Sequence, residues 1–122
     1  KKVIFDTSQQ NYDFSSNKTL SKNNNLNELY FFKILNLGDF IFSDYDKLKL
    51  LDLSYCSIRR LGEYSFFKLE KLTILMLNNN KIKSLNGSLR NMKNLELIDL
   101  SNNLIEYISF NDFLIGLSKE QL

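Results

Sequence analysis

The sequence predicts an α/β solenoid of about four to five stacked coils, with a curved parallel sheet on the concave face and short helices or loops on the convex face. Three observations predict it. The stretch Leu72-Thr73-Ile74-Leu75-Met76-Leu77-Asn78-Asn79-Asn80-Lys81-Ile82 fits the pattern L-x-x-L-x-L-x-x-N-x-L at every fixed position. Leu48, Leu51, Leu53, Cys56 and Ile58 keep the same spacing, as do Leu95, Ile98, Leu100, Asn103 and Ile105, and the first positions lie 24 and 23 residues apart. A fixed period of that length is the mark of stacked repeats. Between copies, apolar residues recur at i, i+3 and i+6, as Phe66, Leu69, Leu72 and then Leu89, Met92, Leu95. That spacing suits one face of a short helical turn laid against the back of the strands.

The chemistry of one coil explains its residue types. Leucines at template positions 1, 4 and 6 point inward, and a single coil cannot bury them, so neighbours must stack into a shared core. Each buried leucine contributes roughly 1.5–3 kcal/mol. The Asn at position 9 sits where the chain turns away from the strand, and its amide offers donors and an acceptor to backbone groups the turn leaves unpaired. Cys56 takes that position in its own copy. With no second cysteine and no histidine in the chain, packing accounts for it better than metal binding or reactivity.

Taken in order, residues 1–31 read as an irregular N-terminal edge, residues 32–117 as the repeats and residues 118–122 as a tail. Val3 and Phe5 alternate like a short strand, and Phe14 suits an apolar position after its turn. Ser15 to Asn27 is polar and reads as a loop. Leu26, Leu29 and Phe32 suggest a helical turn feeding the strand Phe32-Lys33-Ile34-Leu35-Asn36-Leu37. That strand lies only 16 residues before Leu51, counted from Leu35, so this copy reads as one that lost its convex segment. Past Ile108, Phe110, Phe113, Leu114 and Leu117 open another connection with no polar cap after it.

Composition narrows the function. A net charge of +2 in 122 residues, with no block of like charge, gives no reason to expect nucleic acid or an anionic membrane. No apolar run is long enough to span a bilayer. The chain holds one cysteine, which excludes an intrachain disulfide, and no histidine, which removes the commonest general base and metal ligand. Serine without histidine lacks its usual base, and the four glycines form no phosphate-binding fingerprint. An enzyme is not expected, nor any metal or cofactor.

A partner would meet the variable template positions. Position 5 reads Asn36, Asp52, Met76, Asp99; position 8 reads Asp39, Tyr55, Asn79, Asn102; position 3 is apolar throughout, as Ile34, Leu50, Ile74 and Leu97. The candidate ligand-binding residues are Asp52, Tyr55, Met76, Asn79, Asp99 and Asn102. Tyr55 and Met76 are the anchors, because aromatic and methionine side chains are enriched at interface cores. The apolar column serves strand propensity or, if exposed, the hydrophobic part of an interface. Arg59, Arg60, Lys81 and Lys83 lie just past the strands and read as a solvated ridge, since neither a glycine-rich loop nor interleaved aromatics accompany them. Asn17-Lys18-Thr19 and Asn86-Gly87-Ser88 match the N-glycosylation acceptor pattern. With 16 Asn and 16 Ser plus Thr in the chain, about two such matches arise by chance.

The repeats over residues 32–108 resemble those of leucine-rich-repeat proteins. Leu51-Asp52-Leu53-Ser54, Ile98-Asp99-Leu100-Ser101-Asn102-Asn103 and the Phe66-x-x-Leu69-x-x-Leu72 motif resemble repeats of Toll-like receptor ectodomains. Val3-Ile4-Phe5, Phe14 and Phe32 to Leu37 are similar to the start of insect innate-immunity repeat proteins. The resemblance implies a leucine-rich-repeat solenoid that binds a protein or microbial ligand, as a homodimer or with a co-receptor, outside the cell or on its surface. The cysteine-rich caps usual in those families have no counterpart here, so the chain reads as a fragment or truncated member. An intracellular scaffold or regulatory subunit is the alternative, and a repeat segment supporting an enzyme domain encoded elsewhere is a third.

Overall fold

The computed structural model describes residues 2–5, 12–14, 28–31, 34–90, 92–109 and 112. Eight short strands follow in order: β1 (Lys2–Phe5), β2 (Tyr12–Phe14), β3 (Glu28–Phe31), β4 (Ile34–Leu37), β5 (Leu50–Asp52), β6 (Arg60–Leu61), β7 (Ile74–Met76) and β8 (Leu97–Asp99). They form two parallel sheets, one in the order β1-β3-β5-β7-β8 and one in the order β2-β4-β6. Each coil thus gives one strand to the larger sheet, and the first three coils give a second strand to the smaller one.

Register follows the template. Leu50, Leu51 and Asp52 pair with Ile74, Leu75 and Met76, and these pair with Leu97, Ile98 and Asp99. Side chains alternate across a strand, so Leu51, Leu53, Leu75 and Leu77 turn inward and are fully buried. Ile34, Leu37 and Leu61 from the smaller sheet join the same core. Ile98, Leu100 and Ile105 are only partly buried, because among the described residues a single neighbouring coil packs on them.

The register of the first full coil differs from the sequence expectation. The strand beside β5 is β3, with Leu29 opposite Leu51 and Tyr30 opposite Asp52. Ile34–Leu37 is β4 of the smaller sheet, where Leu37 pairs with Leu61. Leu29 to Leu51 spans 22 residues, a normal repeat, so this coil is not shortened and Leu35 belongs to the other sheet. Ile34, Asn36 and Asp39 therefore leave the outer columns, and by register Glu28 and Tyr30 take positions 3 and 5. Glu28–Phe31 is extended where a helical turn was expected. The strand expected at Val3 and Phe5 is present as β1.

The convex segment of that coil is present too. Phe42, Tyr45 and Leu48 are buried at i, i+3 and i+6, matching Phe66, Leu69 and Leu72 one coil on. The rings of Phe42 and Phe66 stack at 6.4 Å between centroids, 4° from parallel. No α-helix occurs among the described residues. The connections are runs of tight turns instead: Tyr45 N–H donates to Phe42 O, Leu48 to Tyr45, Leu69 to Phe66, and Leu72 to Leu69. Bonds from i to i−3 repeat every three residues, which keeps the apolar face without a helix. Gly62 opens the turn at 62–65, where an added Cβ would strike Asp39 Oδ1, the acceptor of the Tyr64 N–H. The segments 110–111 and 113–122, with Phe110, Phe113, Leu114 and Leu117, lie outside the described residues, as do Leu26, Phe32 and Asn17.

Candidate ligand-binding face

The outer face of the larger sheet is built by positions 3 and 5 of each coil. Leu50, Ile74 and Leu97 form one column, and Asp52, Met76 and Asp99 form the next. Neighbouring strands lie about 4.8 Å apart, so each column of three spans about 10 Å. Leu50 and Ile74 are half-buried by their neighbours, and Leu97 is 48% exposed. The apolar column is therefore partly covered and opens toward β8.

The turn after each strand is fixed by backbone bonds between coils. Leu53 N–H donates to Met76 O at 2.8 Å and Tyr55 N–H to Asn78 O at 3.1 Å; Leu77 and Asn79 repeat this toward Asp99 and Ser101. At position 8 the chain takes a left-handed conformation in every regular coil, at Tyr55 (φ 55°), Asn79 (φ 58°) and Asn102 (φ 55°). Asparagine tolerates that region; a bulky residue adopts it at a cost of about 1–2 kcal/mol. Tyr55 is nevertheless held there, with its side chain 70% exposed.

Asp52 and Asp99 both close a small turn. Each carboxylate Oδ1 accepts from the backbone N–H and the hydroxyl of the serine two residues on, at 2.9 and 2.5 Å for Ser54, and at 2.9 and 2.6 Å for Ser101. The Ser101 hydroxyl, then its N–H, holds the Asp99 carboxyl below the usual carboxylate range. The middle coil breaks the rule. Met76 and Asn78 stand where Asp and Ser stand on either side, and Asn78 Oδ1 is buried with no partner. The six sequence-derived candidates thus fall on one side of the molecule: Asp52, Met76 and Asp99 along the strands, and Tyr55, Asn79 and Asn102 along the following turn.

Behind this face runs a ladder of asparagines. Asn80 Oδ1 accepts from Cys56 N–H and Ile58 N–H, both at 3.0 Å, while Nδ2 donates to Leu53 O and Leu77 O at 2.8 and 2.9 Å. Asn103 repeats the pattern on Ile82, Leu77 and Leu100. The Cys56 thiol is buried, lies 3.4 Å from Ser54 O, and is pushed up to about 12 in pKa, first by burial and then by the Asp52 charge. A thiol so protonated is a poor nucleophile. Among the described residues, no group of three or more acidic, cysteine or histidine side chains is placed to hold a metal.

Asn86 is exposed at φ 52°, and its Nδ2 donates to Leu61 O at 3.1 Å. Ser88 of the same acceptor pattern is buried, and its hydroxyl has no partner. The basic residues lie nearby. Arg59, Arg60, Lys81 and Lys83, expected as a solvated ridge, are exposed and line one groove of about 670 Å³ together with Leu61, Ser84, Asn86 and Leu104. Only coil-to-coil register brings them together.

No helix among the described residues is long and apolar enough to cross a membrane. No curated protein and no solved structure is significantly similar to the chain. A family model described as leucine rich repeat matches residues 23–82 and again residues 46–105, most of the chain, and the matched spans hold β3 to β8 and the asparagine ladder. By that match and by its architecture, the chain belongs to the leucine-rich-repeat family.

Proposed function

We propose that this chain is a non-catalytic recognition module of an extracellular receptor-like ectodomain, and that it holds a protein or microbial ligand against the outer face of its larger sheet. The observation that carries the reading is Tyr55, an aromatic side chain 70% exposed on a backbone conformation that disfavours it. Strain kept at an exposed aromatic points to use rather than to packing. Met76 at the centre of the face adds a polarizable, adaptable contact, and Asp52 and Asp99 on either side favour a ligand with basic groups. The repeat family supports protein binding in general. The likeness to Toll-like and insect immune repeats supports the extracellular setting over the intracellular scaffold, and the two glycosylation patterns permit it without arguing for it.

Two measurements test it. A photo-crosslinking residue placed at Tyr55 should capture a defined partner from the native source, and one placed at exposed Lys71, in the turns behind the sheet, should not. Equal capture at both would move the site off this face. Mass spectrometry of native material should find glycan at Asn17; its absence would favour the intracellular scaffold.

A further inference from the structure

We propose that the basic groove beside β6 is a second docking site, one that takes an acidic, leucine-bearing peptide segment of a protein partner. It is separate from the face that carries Tyr55. The groove exists because the smaller sheet ends at β6. On one side β6 is tied to β4 through Arg59 N–H to Leu35 O and Gly62 N–H to Leu37 O, both 2.8 Å. On the other, Lys81 N–H reaches Ile58 O at 2.8 Å, and the next tie is a side chain, Asn86 Nδ2 to Leu61 O at 3.1 Å. Between those two ties residues 82–85 form no strand with β6, and the groove opens there.

Its electrostatics are unbalanced. Arg59 and Lys83 hold corresponding positions, 24 residues apart, on adjacent coils and both line the groove, where like charges repel. No carboxylate lines the groove, and none of Arg59, Arg60, Lys81 or Lys83 forms an ion pair among the described residues. Nearby acids face other groups: Glu63 pairs with Arg90 at 3.2 Å, Asp112 accepts from Gly87 N–H and Ser109 N–H, and Asp39 accepts from Tyr64 N–H. Glu106, one coil beyond Lys83, neither lines the groove nor pairs with it. An anionic partner would relieve this repulsion, and arginine binds carboxylates in paired geometry.

Shape and lining select among polyanions. The volume falls in the range of ligand-sized clefts. Leu61 and half-exposed Leu104 give an apolar floor that a sulfated polysaccharide would leave uncovered. No aromatic lines the groove, so it offers no stacking platform for nucleic-acid bases. A peptide alternating glutamate with leucine satisfies both walls and floor.

The test uses a short fluorescein-labelled peptide of glutamate and leucine, followed by fluorescence anisotropy on the full chain at low and physiological salt. Saturable binding that weakens with salt is expected, and Arg59→Glu with Lys83→Glu should weaken it at least about tenfold. Leu104→Ser should weaken it severalfold, while Tyr55→Ala should leave it unchanged. Arg59→Glu alone should raise the urea midpoint of the free protein, because it replaces repulsion toward Lys83 by attraction, which confirms folding independently of the probe. Absent binding at low salt, unchanged affinity in the double variant, or heparin fragments competing as well as the peptide with Leu104→Ser inert would each overturn the proposal.

Discussion

Asn80 reaches back one full coil to hold Cys56: its Oδ1 accepts the Cys56 N–H at 3.0 Å while its Nδ2 donates to Leu53 O at 2.8 Å. One amide thus joins two coils at the point where both leave the sheet. Asn80→Ala would take the amide from the buried Cys56 and Ile58 N–H groups and from Leu53 O, while Leu77 O keeps Asn103 Nδ2, so it should cost about 2–4 kcal/mol in urea unfolding. Asn103→Ala should cost less, because Asn103 is only half-buried and water can replace part of its network. Equal losses at both positions would show that the amides act locally rather than through burial.

Tyr55 separates stability from recognition. Its backbone is left-handed, as at Asn79 and Asn102, and asparagine bears that conformation more easily. Tyr55→Asn should therefore raise stability by about 0.5–1 kcal/mol while removing the aromatic contact. The urea midpoint checks the first effect and partner capture the second. A destabilised Tyr55→Asn would mean that the ring packs on the protein and is not displayed for a ligand.

How much of this was legible beforehand depends on residue type. The coils starting at Leu48, Leu72 and Leu95 could be read directly, because inward leucines and a turn asparagine have few substitutes in that geometry. The coil of β3 is hidden in the sequence because Ile34-Leu35-Asn36-Leu37, a strand of the smaller sheet, has the pattern of a larger-sheet strand, while Phe42-x-x-Tyr45-x-x-Leu48, which marks the coil, carries aromatics in place of leucine. The i, i+3, i+6 spacing located buried residues correctly but could not tell a helix from successive turns, which share a period near three. Asp52, Met76 and Asp99 follow from strand alternation, and Tyr55, Asn79 and Asn102 from their fixed place in the repeat. The groove of Arg59 and Lys83 does not, since its existence depends on where a strand ladder stops between coils.

Ser88 is a buried hydroxyl without a partner. One coil earlier, Ser65 Oγ donates to Leu37 O at 2.9 Å; here Leu61 O is taken by Asn86 Nδ2. Ser88→Ala should therefore be neutral or stabilising by up to about 1 kcal/mol. A clear fall in melting temperature would show that the hydroxyl does bond within the protein.

Cys56 makes stability depend on pH in the alkaline range. Burial first, and the Asp52 charge second, raise its pKa from 9.0 to about 12. A folded-state pKa above the unfolded value means that the folded state holds the proton more tightly. The resulting stability is fully present below pH 9 and is lost as pH climbs toward 12. Cys56→Ala should flatten that decline, and in the wild type iodoacetamide at pH 8 should label Cys56 only after urea is added. Rapid labelling of the native chain would contradict the buried, protonated thiol.

The middle coil gives the sharpest test of the outer face. Met76 and Asn78 replace the Asp-x-Ser turn found at Asp52–Ser54 and Asp99–Ser101, and leave Asn78 Oδ1 buried without a partner. Restoring the turn with Met76→Asp and Asn78→Ser removes that orphan and adds two short bonds. Opposing this, it places three carboxylates on adjacent strands, where like charges repel. Since each hydrogen bond contributes about 0.5–1.5 kcal/mol, and exposed charges are screened by salt, the double variant should be more stable than wild type at high salt and lose that advantage at low salt. Partner binding should fall at both, because the adaptable apolar centre of the face is gone. A variant that gained stability and kept its partner would show that Met76 has no part in recognition.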